Sequence, residues 1–269
     1  MTKHLSVGVN LMNPKVAIII ANYNYEDYVI EAINSALNQT YKGETRVYIV
    51  DDGSSDGSWE KISQITDPLE SGQVDEPYYC GPIESRSRDN VHAYRIVNSG
   101  ASTARNVAIW QAMEWADIFG ILDSDDEYYS EKVEKLVSKL VEYPEVGVAY
   151  GDYVIKSPTH SKHELKPPYD RQVLLQRCIV HSNALIKKEF IQQVMLPNKE
   201  IFDSRLHGPG SGEFIGCTED YDLWIRLSKV CMISHVPECL AVANEHGANQ
   251  SLKMTNQIFQ QHASILGSR

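Results

Sequence analysis

Three carboxylates crowd into four positions of FGILDSDDEYY (residues 119–129), at Asp123, Asp125 and Asp126, and a fourth follows at Glu127. Like charges this close repel unless water or a cation screens them. Asp123 and Asp125 stand two apart on a chain leaving an apolar run, so both can turn toward one point while Ser124 faces away. Hard oxygen donors in that arrangement suit Mg²⁺ or Mn²⁺, which keep open positions for phosphate oxygens. An ordinary solvated acidic turn has the same composition. A second polar loop, VDDGSSDGS (50–58), also follows an apolar run. Its Asp, Gly and Ser residues suit a turn through side chain to backbone bonds and positive φ. Alternatively, a carboxylate there accepts the imide N–H of a uracil or thymine, or the amino group of another base. Glu219 and Asp220, in CTEDYDLWIRL (217–227), open an amphipathic helix, where they either cap it or are kept ionised by its positive end.

The elements that must position these residues follow from periodicity. VAIII (16–20) is a short, mostly β-branched run that predicts a strand buried on both faces. Tyr28, Val29, Ala32, Ile33, Ala36 and Leu37 then mark one face of a helix over about 26–39. RVYIV (46–50) predicts a second strand, and WEKISQI a second helix with Ser58 as its N-cap. Residues 67–92 read as a long surface insertion. A strand at 93–97, a helix at 102–116 and the strand IFGIL (118–122) come next, then a helix at 130–142, a strand at 146–150 and a polar stretch at 151–171. NALIKKEF, a Gly-rich loop at 207–217, a helix at 218–229 and a helical tail at 251–266 complete the chain. Strand alternating with helix is the signature of parallel crossover units, and both acidic loops fall at carboxyl ends of strands, where open α/β sheets place their ligand crevices.

The 269 residues, 42% of them hydrophobic, are enough for one large domain or two small ones with a proper core. A formal charge of −11 disfavours nonspecific binding to nucleic acid or anionic membrane. No run approaches the ~20 apolar residues that span a bilayer, and the N-terminus has no signal-peptide pattern, so the expectation is a soluble, cytoplasmic protein with at most peripheral membrane contact. Five cysteines without a C-x-x-C pair read as reduced, mostly buried thiols.

VAIIIANYNYEDYVIEAINSALNQTY, VYIVDDGSSDGS, NSGASTARNVAIWQA, FGILDSDDEYY and CTEDYDLWIRL stand in an order and spacing that resemble family 2 glycosyltransferases of the GT-A fold, over roughly residues 15–247. The joint occurrence of five motifs is specific where no single one is. The resemblance implies a Rossmann-like, mostly parallel α/β sheet with helices on both faces in one catalytic domain (1–247). Its nucleotide-sugar half is 15–128, its acceptor half 129–247, and 248–269 forms a helical tail. Asp123 and Asp125 become the outer members of the family's D-x-D, holding a divalent cation and the donor ribose. Tyr23 lies against the nucleobase, Asp52 hydrogen-bonds it, and Arg105 supports the base or the neighbouring acidic loop. Ala21 replaces the family's usual Pro or Thr at a nucleotide contact. Glu219 borders the substrate, Asp220 is the general base, and His246, in ANEHGANQS, is a third metal ligand.

The function these resemblances imply is inverting transfer of one sugar from a UDP, GDP or dTDP donor to a hydroxyl of a glycan or lipid-linked acceptor, with Mn²⁺ or Mg²⁺. A sugar nucleotidyltransferase would need a Gly-rich, Arg- or Lys-containing loop after the first strand, and ANYNYEDY is not one. A noncatalytic glycan-binding protein has no use for Asp123, Asp125, Asp220 and His246 together, and charge disfavours a DNA-base glycosyltransferase. A Gln-x-x-Arg-Trp motif, the mark of related membrane synthases, is absent. Trp224, Tyr128 and Tyr129 are open between core packing and sugar stacking.

Overall fold

Val16, Ile18 and Ile20 point to one face of a sheet and Ala17 and Ile19 to the other, and all five are fully buried. This strand can lie only in the middle of the structure. The computed structural model describes residues 13–68, 83–206 and 219–246. In chain order its elements are β1 (Val16–Asn22), α1 (Val29–Leu37), β2 (Thr45–Asp51), α2 (Ser58–Gln64), β3 (Asp67–Pro68), β4 (Glu84–Arg88), β5 (Val91–Arg95), α3 (Ala101–Ala112), β6 (Ile118–Asp123), β7 (Glu127–Tyr128) and α4 (Lys132–Glu142). There follow β8 (Val146–Lys156), β9 (Ser161–Glu164), α5 (Arg171–Leu174), β10 (Leu185–Lys187), α6 (Lys188–Val194), a 3₁₀ turn (Ser204–Leu206), α7 (Glu219–Leu227) and β11 (Met232–Asn244).

The strands join in one sheet of order β3-β4-β5-β2-β1-β6-β10-β8-β11-β7, with β9 beside β8. β5, β2, β1 and β6 are mutually parallel. β10 is antiparallel to both β6 and β8. Helices cover both faces. α3, α6 and α7 pack on one through Ala104, Val107, Ile191, Leu223 and Trp224, and α1, α2 and α4 on the other through Val29, Ile33, Ile62, Val133 and Leu136. Trp224 is fully buried and belongs to the core; Tyr128 is buried as well, whereas Tyr129 is half-exposed.

Several local expectations shift. α1 starts at Val29, because Tyr25 to Tyr28 form a tight turn in which the Val29 amide donates to the Tyr25 carbonyl. Ser58 is the first residue of α2, and its amide is held instead by Asp56 Oδ1 at 2.9 Å. Part of the supposed insertion is a strand, β4, that pairs with β5 across a turn at Asp89 (φ +53°). The polar stretch after residue 150 contains the end of β8 and its hairpin partner β9. β11 has no counterpart in the sequence reading. Cys178, Cys231 and Cys239 are free thiols as expected, but half-buried. The Gly-rich loop and the helical tail lie outside the described residues.

No helix among the described residues is long and apolar enough to cross a membrane.

Candidate active site

The carboxyl ends of β2, β1 and β6 lie side by side. Their register puts Ala21 between Val50 and Asp123, and Asn22 opposite Asp51. Polar groups close this end. Asn22 donates to Asp51 Oδ1 at 2.9 Å and Ser54 Oγ at 3.2 Å, while Asp51 Oδ2 accepts the Ser54 amide at 3.0 Å. Tyr23, just past β1, is 42% exposed on the rim. Asp52 is buried, and its two carboxylate oxygens accept the Ser99 and Gly100 amides at 2.7 and 2.8 Å. The structure therefore gives Asp52 the task of pinning the start of α3 to the end of β2. Gly100 takes φ +92° there, a conformation costly for any residue with a Cβ.

α3, so anchored, carries Arg105 into the site. Its guanidinium donates to Asp123 Oδ1 at 2.6 Å and to Glu219 Oε1 at 2.7 Å, and lies 3.9 Å from Asp220 Oδ1. Burial works against the charge, yet Asp123, then Asp220 and Glu219, hold its pKa well above the ordinary value. Arg105 is thus a permanent cation that ties the D-x-D to the first turn of α7. The other oxygen of Asp123 accepts the Ser182 hydroxyl at 3.0 Å.

Asp125 is reached from the opposite side. His246 Nε2 lies 3.1 Å from Asp125 Oδ2, with the imidazole stacked on Tyr28 (centroids 4.6 Å apart) and the Tyr25 ring edge-on at 5.5 Å. β11 pairs with β7 and ends at Asn244, whose side chain donates to the Asp125 carbonyl (2.8 Å) and whose amide donates to Asp126 Oδ1 (3.1 Å). The acidic loop is bound to the strand that delivers His246.

Sequence reasoning singled out Asp123, Asp125, Arg105, Glu219, Asp220 and His246, and these converge. Ala21 sits in the sheet beside Asp123, and Tyr23 and Asp52 lie further along the same edge. Missed were Ser182, Asn244, Tyr25, Tyr28 and the burial of Asp126. Asn244 stands two residues before His246, a strand period that could have signalled a shared face. Tyr28 was read only as part of a buried helix stripe, and Ser182 carried no signal.

Burial, then the neighbouring Asp123, raises the Asp125 pKa; Asp126, buried and next to both, is raised much further. That is the electrostatic signature of carboxylates short of positive charge. Among the described residues no three His, Cys, Asp or Glu side chains are close enough to enclose a metal. The Asp125 and His246 pair nevertheless presents one oxygen and one nitrogen at a separation adjacent ligands can have, next to Asp123, a donor set that a divalent cation can accept.

Residues 17–195 match the model of the family described as Glycosyl transferase family 2. A glycosyltransferase of Rickettsia typhi is 28% identical over 94% of this chain and 71% of its own length. The minor teichoic acid biosynthesis protein GgaA of Bacillus subtilis is 26% identical over 58% of this chain, which spans only 31% of that protein. Among solved structures, S. aureus TarS 1-349 in complex with UDP-GlcNAc superposes with a TM-score of 0.59 at 18% identity, covering 90% of this chain and 61% of that 1-349 chain, a likeness of fold. With more than half of its residues inside the family model, the chain belongs to glycosyl transferase family 2, a family of transferase enzymes.

Proposed function

We propose that the chain transfers one sugar from a nucleoside diphosphate sugar to an acceptor hydroxyl, with inversion at the anomeric carbon and with a divalent cation. One observation carries this reading: a single buried guanidinium, that of Arg105, binds both Asp123 and Glu219 and stands beside Asp220. The D-x-D and the candidate base are therefore separated by little more than one planar side chain, the scale on which a sugar passes from leaving group to acceptor.

Asp125 and His246, with Asp123 beside them, would hold the cation, Mn²⁺ or Mg²⁺. Bound there, it would supply positive charge against the diphosphate leaving group. Tyr23 would lie against the base at the open rim, with Ala21 at the strand end beneath it; Asp52, whose carboxylate also ties its loop to α3, would hydrogen-bond the base. Asp220 would take the proton of the acceptor hydroxyl as it attacks, favoured in its ionised form by the α7 N-terminus. Glu219, held by Arg105, keeps Asp220 facing the site. The UDP-GlcNAc bound by TarS makes UDP the first donor nucleotide to test, and GgaA's part in minor teichoic acid biosynthesis favours a glycan or lipid-linked glycan acceptor.

The test is a screen of UDP-, GDP- and dTDP-sugars for Mn²⁺-dependent hydrolysis and for thermal stabilisation of the protein. One nucleotide should stand out, and only with the metal. Stabilisation by none of them, or equally well in EDTA, would remove the proposal.

A further inference from the structure

Asp123 is held from two sides. Arg105 binds Oδ1, and the hydroxyl of Ser182, in the turn before β10, donates to Oδ2 at 3.0 Å. Another acceptor stands 3.5 Å from that hydroxyl, His181 Nδ1, but it already receives the Asn183 amide at 3.2 Å. The Ser182 proton is thus given to the carboxylate. Ser182 is only half-buried, so the aim of its hydroxyl depends on what fixes the turn around it. The backbone fixes the far end, where the Ile121 amide donates to the Ala184 carbonyl at 3.2 Å. Between them, Asn183 is fixed through its side chain. That side chain is buried, and its Oδ1 accepts from Lys132 Nζ at 2.9 Å. Its Nδ2 has no hydrogen bond among the described residues, so the one bond to Lys132 sets the direction of the amide.

Lys132 is itself placed by the acidic loop. Its Nζ lies 4.5 Å from the centroid of the Tyr128 ring. Tyr128 closes that loop, since its amide donates to Ser35 Oγ at 3.0 Å and its hydroxyl to the Ile121 carbonyl. One side chain therefore touches both the return of the acidic loop and the turn that carries Ser182. Lysine is a poor choice for this place on grounds of stability. It is fully buried and forms no ion pair among the described residues, so a methionine would fill the space with less desolvation. Local conflicts of this kind are expected at functional sites.

We propose that Lys132 is a positioning residue for the transfer reaction: through Asn183 it orients the Ser182 hydroxyl, and through that hydroxyl the Asp123 carboxylate, toward the bound cation and donor. This relay rests on the reading that puts Asp123 at the cation and donor end of the site. It operates whether or not the lysine nitrogen carries its third proton, because an amine and an ammonium both donate to Oδ1. Asp123 then meets the donor already oriented, with Arg105 on one oxygen and Ser182 on the other.

The experiment is isothermal titration of the full chain with the Mn²⁺ complex of UDP, or of GDP or dTDP where the donor screen selects it. Ser182→Ala should weaken binding about 10-fold, the scale for losing an outer partner of a metal-site residue, and Ser182→Thr, which keeps the hydroxyl, should stay within about 2-fold of wild type. Lys132→Met should lose a similar factor in the wild-type background and nothing further in Ser182→Ala, because its effect passes through that hydroxyl. Urea denaturation shows that each variant is folded. If Lys132→Met alone does not fold, Lys132→Met combined with Asn183→Leu removes both partners of the buried hydrogen bond and repeats the test. Three results overturn the proposal: Ser182→Ala binding like wild type, Lys132→Met binding like wild type, or the two losses multiplying in the double variant, the mark of a lysine that only supports the core. Failure of the wild-type chain to bind any nucleoside diphosphate with Mn²⁺ is a separate result, and it removes the transferase reading and this relay together.

Discussion

β5, β2, β1 and β6 run parallel in unbroken register, whereas β10, β8, β11 and β7 change direction from one to the next or slip, and β11 alone shifts register three times against β8. The regular half presents its functional groups where strands end, so Ala21, Asp51 and Asp123 are placed by the same register that buries the core. The irregular half places Ser182, Asn244 and His246 one at a time, each by a particular turn or strand end. A shared chemical core on one side and an individually shaped wall on the other is what a transferase needs if its donor chemistry is common and its acceptor is not. Arg105 is where the halves meet, carried by α3 on one side and bound to Glu219 of α7 on the other.

Arg105→Met should therefore have the largest effect, leaving Asp123 and Glu219 facing each other without a counter-charge. The expected loss is about 3–5 kcal/mol of folding stability, the range for breaking a buried ion pair. Urea denaturation measures it, and a loss below about 1 kcal/mol would mean that the halves do not depend on this joint. Asp220→Asn acts on one half only: transfer should fall roughly 100-fold, with donor and metal affinity kept, because the amide preserves the shape but cannot take a proton. Donor titration beside single-turnover transfer separates these terms. Wild-type activity would leave Asp220 a helix cap, and lost donor binding would move it to the nucleotide side.

At the seam of the acidic loop, Asp125→Ala should abolish the metal dependence of nucleotide binding, and His246→Ala should weaken Mn²⁺ by about 10-fold or more with the fold intact. Binding measured in Mn²⁺ and in EDTA tests both. An unchanged His246→Ala variant would make the imidazole purely a packing partner of Tyr28.

The last effect, spread over several pH units, concerns Lys132, at the start of α4. It is fully buried, its Nζ donates to Asn183 Oδ1 at 2.9 Å, and burial lowers its pKa to about 7. The folded state resists the proton that the unfolded chain accepts below about 10.4. Wild-type stability should thus decline as pH falls from about 10 toward 7, by at most about 1.4 kcal/mol per pH unit, and level off below 7. Lys132→Met should flatten that slope in urea titrations across the interval. An identical slope would show that the lysine keeps its proton when buried.

The contrast between the halves also explains what the sequence could disclose. VAIII, RVYIV and IFGIL are continuous apolar runs because parallel strands covered on both faces must be, and the acidic loops follow them directly. β11 was illegible because MISHVPECLAVAN carries a proline and breaks its alternation at each register shift. The pairing of β4 with β5 and of β8 with β9 lay in polar, half-exposed stretches with weak periodicity. Within the site, residues carrying formal charge in a motif were recognisable. Asn244, Ser182 and Tyr28 act through hydrogen bonds and stacking fixed by distant chain segments, and their own neighbours in sequence do not announce them.

The slips in β11 have a consequence for how the chain tolerates changes in length. All three fall between Met232 and Ala241, where an added or lost residue can be absorbed by moving a bulge. From Ala241 to Asn244 the strand is held on both edges, by β8 and, through Ala241 and Val242, by β7. A single-residue deletion there would reverse every following side chain and turn the imidazole of His246 away from Asp125. The strand behaves as a measuring tape with slack at one end only, so insertions and deletions can accumulate before Ala241, while after it the count of residues is as much a requirement as their identity.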